Sequence, residues 1–371
     1  MKLPVKYTLK HVFTALFLAF SIGLFAEEHT EHSAAETHGH SEQKFDAGKM
    51  IMEHILDAHD WHLWGEHHSA VSIPLPVILY TDKGLDVFMS SAFHHGEATV
   101  IGKYSYRLKD NKIVVVNQTG ETDEAASAKV LDFSITKNVA ALFISIILLL
   151  TIFLPVAKRY KENANRAPSG IQSLLEPIIL FIKDNVAIPN IGEKKYEKYM
   201  PFLLTVFFFI LINNLMGLVP FFPGGANLTG NISVTFTLAA IVLIIVIVTS
   251  NKHYWQHILA MPGVPKPVLF ILTPIEILGF IIRPFVLMMR LFANITAGHI
   301  VILSFISLIF IFGAMSAGAG YGISIFSMSL VVFMSLLELL VAFLQAYVFT
   351  LLSAIYFGSA IEEGHHEGEH H

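Results

Sequence analysis

Two apolar runs near the C-terminus are too long to stand upright in a lipid bilayer. Residues 267–312 and 323–357 contain few charges, and as helices they would measure roughly 69 and 52 Å. The hydrocarbon core of a bilayer is only about 30 Å thick. Such helices must tilt, lie partly in the membrane plane or kink, and Pro274 and Pro284 are candidate kinks. The small residues of 313–322 predict that the two helices pair as an antiparallel hairpin.

The composition agrees with a membrane protein. The chain has 371 residues, 54% of them hydrophobic and only 14% charged, whereas about a quarter of the residues are charged in a soluble domain. The net charge of -5 provides no basic stripe and excludes nucleic acid as an expected partner. There are no cysteines, which excludes disulfides and thiolate metal sites.

The N-terminus has the pattern of an export signal. Three lysines within the first ten residues precede a short apolar stretch at 12–25, which predicts a signal peptide over residues 1–26. Leu24 is large for a cleavage site, so an uncleaved anchor helix remains the alternative. In both cases the segment that follows is expected to be exported.

Residues 27–135 are polar and are interpreted as one small exported α+β domain rich in histidine. The stretch 28–43 is a His/Glu/Ser low-complexity segment and is expected to be disordered. The predicted elements are a short amphipathic helix over 45–61, strands over 84–89 and 99–108, and a turn at 110–111 into a third strand over 112–116.

The histidines of this domain invite two interpretations. They are His54, His59, His62, His67, His68, His94 and His95. Binding of zinc or collection of protons at a channel entrance is one reading, but no set of ligands has convincing spacing. Solvated histidines on a soluble surface are the plainer reading, and no metal site is predicted.

Residues 136–361 are predicted to form an all-α polytopic membrane domain. Spanning helices are expected over 138–157, 199–219 and 232–249 in addition to the long hairpin, with an interfacial helix over 171–186 and a polar loop over 220–230. This makes about five spanning helices. Lysines and arginines directly after 138–157 indicate the cytoplasmic side. The polar tail 362–371 is then cytoplasmic as well.

Charges within the apolar runs fall on particular helix faces. Glu276, Arg283 and Arg290 are spaced by seven residues, nearly two helical turns, so they share one stripe, and Asn294 follows one turn later. His299 lies nine residues after Arg290, which places it on the opposite face. This separation indicates two different aqueous environments.

Arg290 and the polar groups near it suggest ion transport. A guanidinium does not lose its proton, so Arg290 is suited to be a fixed positive barrier that also stabilises a nearby ionised carboxylate. His299 and Glu338 could pass protons between water and this barrier, with Asn294, Gln345 and Asn214 as hydrogen-bonding companions. The alternatives are a structural ion pair between Arg290 and Glu276 and buried polar contacts between helices.

Three segments resemble motifs of the subunit a family of F-type ATP synthases. They are residues 290–299 (Arg-Leu-Phe-Ala-Asn-Ile-Thr-Ala-Gly-His), 338–349 (Glu-Leu-Leu-Val-Ala-Phe-Leu-Gln-Ala-Tyr-Val-Phe) and 214–220 (Asn-Leu-Met-Gly-Leu-Val-Pro). The likeness covers roughly residues 174–356, about half of the chain. The exported domain departs from the shorter pattern that is common in the family.

The resemblance implies roles for individual residues. Arg290 matches the arginine that faces the carboxylate of the c-subunit ring, and Glu276 matches an acidic residue of the cytoplasmic path. His299 and Glu338 match two positions that hold Glu and His in reverse order in some members, as expected if the pair works as a unit. Gly217 stands where some members carry an acidic residue, so a contact at the entrance is missing or moved.

The resemblance implies a non-catalytic stator subunit of the bacterial inner membrane. It would form two proton half-channels against the c-ring, contact the b subunits of the peripheral stalk and need no cofactor. The chain has no Gly-x-x-x-x-Gly-Lys-Ser/Thr loop, so nucleotide chemistry is expected on other chains. The alternatives are a proton-coupled secondary transporter, although no internal repeat is visible, and a histidine-rich metal sensor. The sequence leaves sodium open as the transported ion.

Overall fold

The computed structural model describes residues 46–64, 71–96, 99–109, 111–162, 167–219, 222–261 and 264–362. Several sequence predictions lie outside these residues. They concern the signal peptide or anchor at 1–26, the low-complexity stretch 28–43, the pair His67 and His68, and the tail beyond Glu362.

The N-terminal part is a small α+β unit. Its elements are α1 (Ala47–Ile55), β1 (Asp60–Trp64), β2 (Val71–Pro74), β3 (Pro76–Thr81), β4 (Gly84–Met89), a 3₁₀ segment (Ser90–Gly96), β5 (Val100–Ile101), β6 (Ser105–Lys109), β7 (Lys112–Val116), α2 (Glu124–Ser127) and β8 (Leu131–Asp132). All strand pairs are antiparallel and form three small sheets, ordered β1-β2, β4-β3-β8 and β5-β6-β7.

Side chains that alternate along β3 build the core of this unit. Val77, Leu79 and Thr81 point inward and are fully or almost fully buried, as expected for a strand with one buried face. Phe93 and Tyr106 complete the cluster and are both inaccessible to solvent. Strands β1, β2, β3 and β8 were not predicted from the sequence.

Two sequence predictions for this unit are wrong in their extent. The helix expected over 45–61 ends at Ile55, because the carboxylate of Asp57 accepts a hydrogen bond from Ala58 N (3.0 Å) and turns the chain into β1. The strand expected over 99–108 is a tight β5-β6 hairpin, since Gly102 N donates to Tyr104 O (2.8 Å). The predicted hairpin into Lys112–Val116 is confirmed.

A buried histidine–aspartate pair ties the start of this unit to its last strand. His59 Nε2 lies 2.8 Å from Asp132 Oδ2, and His59 is only 6% exposed. Burial alone would raise the pKa of Asp132, but the hydrogen bond and charge of His59, with further bonds from Ser134, hold it below its usual value. The ionised carboxylate therefore stabilises the folded unit.

We expect this stabilisation to disappear in acid. A lowered folded-state pKa contributes stability that is complete above the unfolded-state pKa of about 4 and is lost as the pH falls through the folded-state value. After correction for the intrinsic exchange rate at each pH, protection of the β3 and β8 amides from hydrogen exchange should be lower at pH 3 than at pH 6, and Asp132→Asn should flatten that response. The exposed-site variant Glu121→Gln is the control, and an equal response in both variants would contradict the assignment.

The remainder of the chain is helical. Its elements are α3 (Lys137–Glu162), α4 (Ile171–Ile182), a π-helical turn (Lys183–Ala187), α5 (Ile188–Ile191), α6 (Tyr196–Leu218), α7 (Ile232–Thr249), α8 (Lys252–Leu259), α9 (Lys266–Met315) and α10 (Ala317–Ile361). Within the described residues, five helices are long and apolar enough to cross a membrane, namely α3, α6, α7, α9 and α10. The fold is therefore that of a mostly helical polytopic membrane protein with a small α+β unit before it.

The predicted helices are confirmed with shifted ends. The helix over 232–249 has the expected bounds. The helix expected over 171–186 is α-helical only to Ile182, and Pro189, which lacks an N–H, follows the π-helical turn. The long hairpin is present, but α9 runs as helix through Pro274 and Pro284. Helix α8 was missed.

Helix α6 forms the centre of the helical part. Leu203, Phe207 and Ile210 are completely buried, because α6 packs against α3 and α10. Helix α10 runs back along α9 after a single non-helical residue, Ser316, whose Oγ accepts a hydrogen bond from Ala319 N (3.1 Å). Between Asn190 in α5 and Gly358 in α10 the backbones nearly touch, since a methyl group at Gly358 would overlap the carbonyl of Asn190.

Candidate functional site

Arg290 lies in α9 and faces away from the helical bundle. Leu287 and Leu291 on either side of it are each 1% exposed and bury the inner face of α9. Arg290 itself is exposed, as is Asn294 one turn later. In the described part of the chain, Arg290 has no hydrogen-bond or ion-pair partner. The permanent positive charge of Arg290 therefore points outward, away from the other helices of this chain.

The surface next to Arg290 is apolar. Leu278, Ile282 and Val286 precede it at intervals of four residues and are 56%, 43% and 40% exposed. Together with Arg290 and Asn294 they form one outward row along α9, here called the arginine stripe. An isolated charge on an apolar membrane face is costly unless a partner neutralises it.

His299 and Glu338 meet on the other side of α9. His299 Nδ1 lies 3.4 Å from Glu338 Oε1, and their side chains are 18% and 5% exposed. Both carboxylate oxygens of Glu338 are buried and accept no hydrogen bond from any described group. Gly298 makes room for this approach, because a methyl group at Gly298 would lie 2.8 Å from Glu338 Oε1. A buried carboxyl with unused hydrogen-bonding capacity is suited to exchange a proton.

The other nitrogen of His299 faces the glycine that the sequence comparison singled out. A methyl group at Gly217 in α6 would lie 3.5 Å from His299 Nε2, an ordinary contact distance. A methyl group would therefore fit at Gly217 without overlap and would touch the imidazole of His299. Because Gly217 and His299 are 82 positions apart in the chain, only the folded structure brings them together.

Asn214 forms a polar link between three parts of the bundle. It is 3% exposed; its Nδ2 donates to the carbonyl of Ala342 (3.0 Å) and its Oδ1 accepts from Thr229 Oγ1 (2.6 Å). Gln345 is buried in α10, seven residues after Glu338 and on the same face. Asn294 lies on the arginine stripe instead, apart from the His299–Glu338 pair. Thr229 was missed, and its only sequence signal is its position in the Asn/Gly-rich loop.

The charged residues towards the N-terminal end of α9 gather beside two tyrosines. Arg283 borders a cleft with Tyr254 and Tyr356, and Tyr254 lies within electrostatic range of both Arg283 and Glu276. In the described part of the chain, Glu276 forms no ion pair with Arg283 or Arg290. The structural ion pair considered above for Arg290 is therefore absent from these residues.

Comparison with known proteins decides the family. The family model described as ATP synthase A chain matches residues 139–358, more than half of the chain. The chain is a member of the ATP synthase A chain family. The resemblance seen in the motifs is thus confirmed. A second family model, described only as a domain of unknown function, matches residues 50–133, which comprise most of the α+β unit.

Curated relatives extend this similarity across the helical part. "ATP synthase subunit a" of Pelodictyon phaeoclathratiforme is 41% identical over 286 residues, which is 75% of this chain and 82% of the relative. "ATP synthase subunit a" of Chloroherpeton thalassium is 44% identical, over 65% of this chain and 70% of the relative. "ATP synthase subunit a 2" of Prosthecochloris aestuarii is 46% identical, over 64% and 72%.

The histidine-rich unit shows no assembled metal site in the part that the structure describes. No three His, Asp or Glu side chains of these residues come close enough together to hold an ion. His59 is already engaged by Asp132. His67 and His68 are not among the described residues, so the zinc interpretation stays untested for that pair.

Proposed function

We propose that this A chain family member is the stator subunit a of an Fo sector and conducts protons along two half-channels beside a ring of c subunits. Proton flow through them is coupled to rotation of the ring and to ATP synthesis. The observation that carries this proposal is the outward Arg290 on an apolar face, where no described residue pairs with it. The chain itself performs no bond chemistry, and nucleotides are bound by other subunits.

A partner of defined chemistry explains the exposed guanidinium. In hydrocarbon the charge of Arg290 calls for an opposite charge, and its planar fork is suited to a carboxylate. A ring of c subunits, each with one membrane-embedded carboxyl group, presents such carboxylates one after another. Arg290 would favour the ionised form of each as it passes and would block a proton from crossing directly.

Two polar regions flank this barrier and suit the two half-channels. The His299–Glu338 pair, with Asn214 and Gln345, lies behind the arginine stripe on one side. Glu276, Arg283 and Tyr254 lie towards the opposite end of α9. We assign the first region to the periplasmic path and the second to the cytoplasmic path. The lysines and arginines that follow α3 favour a cytoplasmic location for the side of the bundle where α9 begins.

The same charge rule orients the chain in the bacterial inner membrane. The N-terminal unit then lies in the periplasm and the C-terminus in the cytoplasm. The long hairpin of α9 and α10 runs tilted along the membrane, since each helix exceeds the thickness of the hydrocarbon core. The b subunits of the peripheral stalk would hold the chain against the torque of the ring.

Photo-crosslinking tests the contact with the ring. The chain contains no cysteine, so one introduced thiol labels one site. A benzophenone probe on Val286→Cys, on the arginine stripe, should crosslink to the small c subunit in membranes. The same probe on Leu287→Cys, which is buried, should not. A crosslink confined to lipid or to this chain itself, or failure of a c-ring to co-purify in mild detergent, would reject the proposal.

The His299–Glu338 pair should behave as one unit. We expect Glu338→Gln and His299→Ala each to slow ATP-driven proton pumping by about tenfold to a hundredfold, since each removes a proton-exchanging group. The exchanged variant, His299→Glu combined with Glu338→His, should recover more activity than either single variant. Thr350→Val, at a buried residue elsewhere in α10, is the packing control. If the exchanged variant loses as much pumping activity as the two single variants combined, the pair serves only packing.

A further inference from the structure

The N-terminal unit is docked on the helical part by specific contacts. Lys137, the first residue of α3, is 7% exposed, and its Nζ donates to the carbonyl of His54 (3.3 Å). Asp57 Oδ1 accepts a hydrogen bond from Asn138 N (3.0 Å). Trp61 is 2% exposed, and its ring centroid lies 5.2 Å from that of Phe222 in the loop after α6. Such burial holds the unit in one position.

Lys137 binds the C-terminal end of α1. Its ammonium group binds a carbonyl in the last turn of α1, where the helix dipole favours a positive charge. The carboxylates of Asp57 and Asp60 lie within electrostatic range of this ammonium group. Lys137 therefore holds the docked segment 54–62 through the backbone carbonyl of His54, and the imidazole of His54 takes no part in this hydrogen bond.

Docking brings this segment close to the His299–Glu338 pair. Helix α1 packs against α9, and both His54 and Lys137 lie within electrostatic range of His299. His54 is exposed. The buried carboxyl of Glu338, with no hydrogen bond from the described residues, lies behind His299. His54 at the surface, followed by His299 and Glu338 in the interior, thus forms a series of three ionisable groups.

The surroundings of His54 favour its neutral form, so a proton that the ring acquires is readily passed on. Surrounding protein atoms, followed by the positive charges of Lys137 and His62, lower the pKa of the His54 imidazole, so the ring is neutral near pH 7. The titratable groups that face this region are those of α1 and β1, of α3 and of the hairpin: His54, Asp57, Asp60, His62, Lys137, His299 and Glu338.

We propose that the N-terminal unit forms the mouth of the path that serves His299 and Glu338, and that the His54 imidazole exchanges protons there between water and the pair. A buffer acid gives its proton to the neutral ring and leaves as its conjugate base. The imidazolium then passes the proton inward, which regenerates the neutral ring. This inference rests on the proposed function and gives a role to the unit that matches a family model described as a domain of unknown function.

Chemical rescue tests this role in the intact complex. Proton conductance is measured through Fo in vesicles depleted of the nucleotide-binding sector and driven by a potassium diffusion potential. We expect His54→Ala to lower proton conductance about tenfold. This loss is smaller than that caused by removing a buried general acid or base, because water can deliver some protons to the pair without His54. Imidazole on the side of the N-terminal unit should restore it. His253→Ala, at an exposed histidine in α8, is the matched control.

Each outcome separates this role from packing and from the proposed function. Unchanged conductance in His54→Ala overturns the inference, and so does a loss that imidazole does not restore. The side chain of His54 is dispensable for docking, so protection of the Trp61 region from hydrogen exchange should remain normal in His54→Ala. Failure of the proposed function would appear separately, as normal pumping in Arg290→Ala.

Discussion

Replacing Arg290 by alanine should abolish ATP-driven proton pumping while leaving the complex assembled. Arg290 forms no hydrogen bond or ion pair with the described residues, and its buried neighbours Leu287 and Leu291 keep α9 packed. We expect a loss of about a hundredfold or more, because the fixed positive charge that we propose to face the ring carboxylate disappears. Fluorescence quenching of a pH-sensitive dye in inverted vesicles measures pumping, and co-purified c subunit reports assembly.

Two comparison variants separate charge from geometry at this position. Arg290→Lys keeps a cation but loses the planar fork, and an ammonium group can release its proton in a medium of low dielectric. It should therefore remain nearly inactive. Arg283→Ala removes the neighbouring exposed arginine beside Tyr254 and should retain substantial pumping. Near-normal pumping by Arg290→Ala would mean that the guanidinium is no barrier and that the proposed mechanism is wrong.

The second large effect concerns a glycine far from the charged residues. Gly358→Ala should prevent stable packing of α10 against α5, because the new methyl group would overlap the carbonyl oxygen of Asn190. Backbone atoms cannot move aside as a flexible side chain can, so we expect destabilisation of about 3 kcal/mol. Thermal unfolding of the purified complex in detergent, followed by loss of this chain from the complex, measures the effect.

The same helix provides a matched control. Gly322→Ala also adds a methyl group to α10, but nothing lies within 4 Å of the added carbon. Alanine is favoured over glycine inside a helix by about 0.5–1 kcal/mol, so this variant should be neutral or slightly more stable. Equal stability of the two variants would contradict close packing at Gly358.

The length of the apolar runs predicted the helical part of the chain well. The helix Ile232–Thr249 and the long hairpin follow from uninterrupted apolar runs. Strand β3 was missed because its outward residues, such as Ile78 and Tyr80, are as apolar as its buried ones, so its sequence shows no alternation. Strand β1 overlaps the end of the helix that was expected over 45–61. The helix expected over 45–61 was too long, because a side-chain hydrogen bond from Asp57 competes with the helix.

The candidate site was predicted from spacing along single helices. Nine residues between Arg290 and His299 place them on opposite faces, and the structure shows one exposed and the other packed against Glu338. Spacing failed where contacts join different helices. Thr229, which binds Asn214 from another part of the bundle, was overlooked. Asn294 lies on the arginine stripe, as its spacing from Arg290 predicted, and apart from the His299–Glu338 pair with which it was also grouped.

The sequence by itself determined the membrane character of this protein, its helical hairpin and the opposite faces on which Arg290 and His299 lie. These properties depend on residues a few positions apart, and helix geometry relates such residues directly. Only the tertiary structure decided that Gly217 faces His299 and that Lys137 holds the N-terminal unit above that histidine. Those contacts join distant parts of the chain, and their positions depend on how whole helices pack.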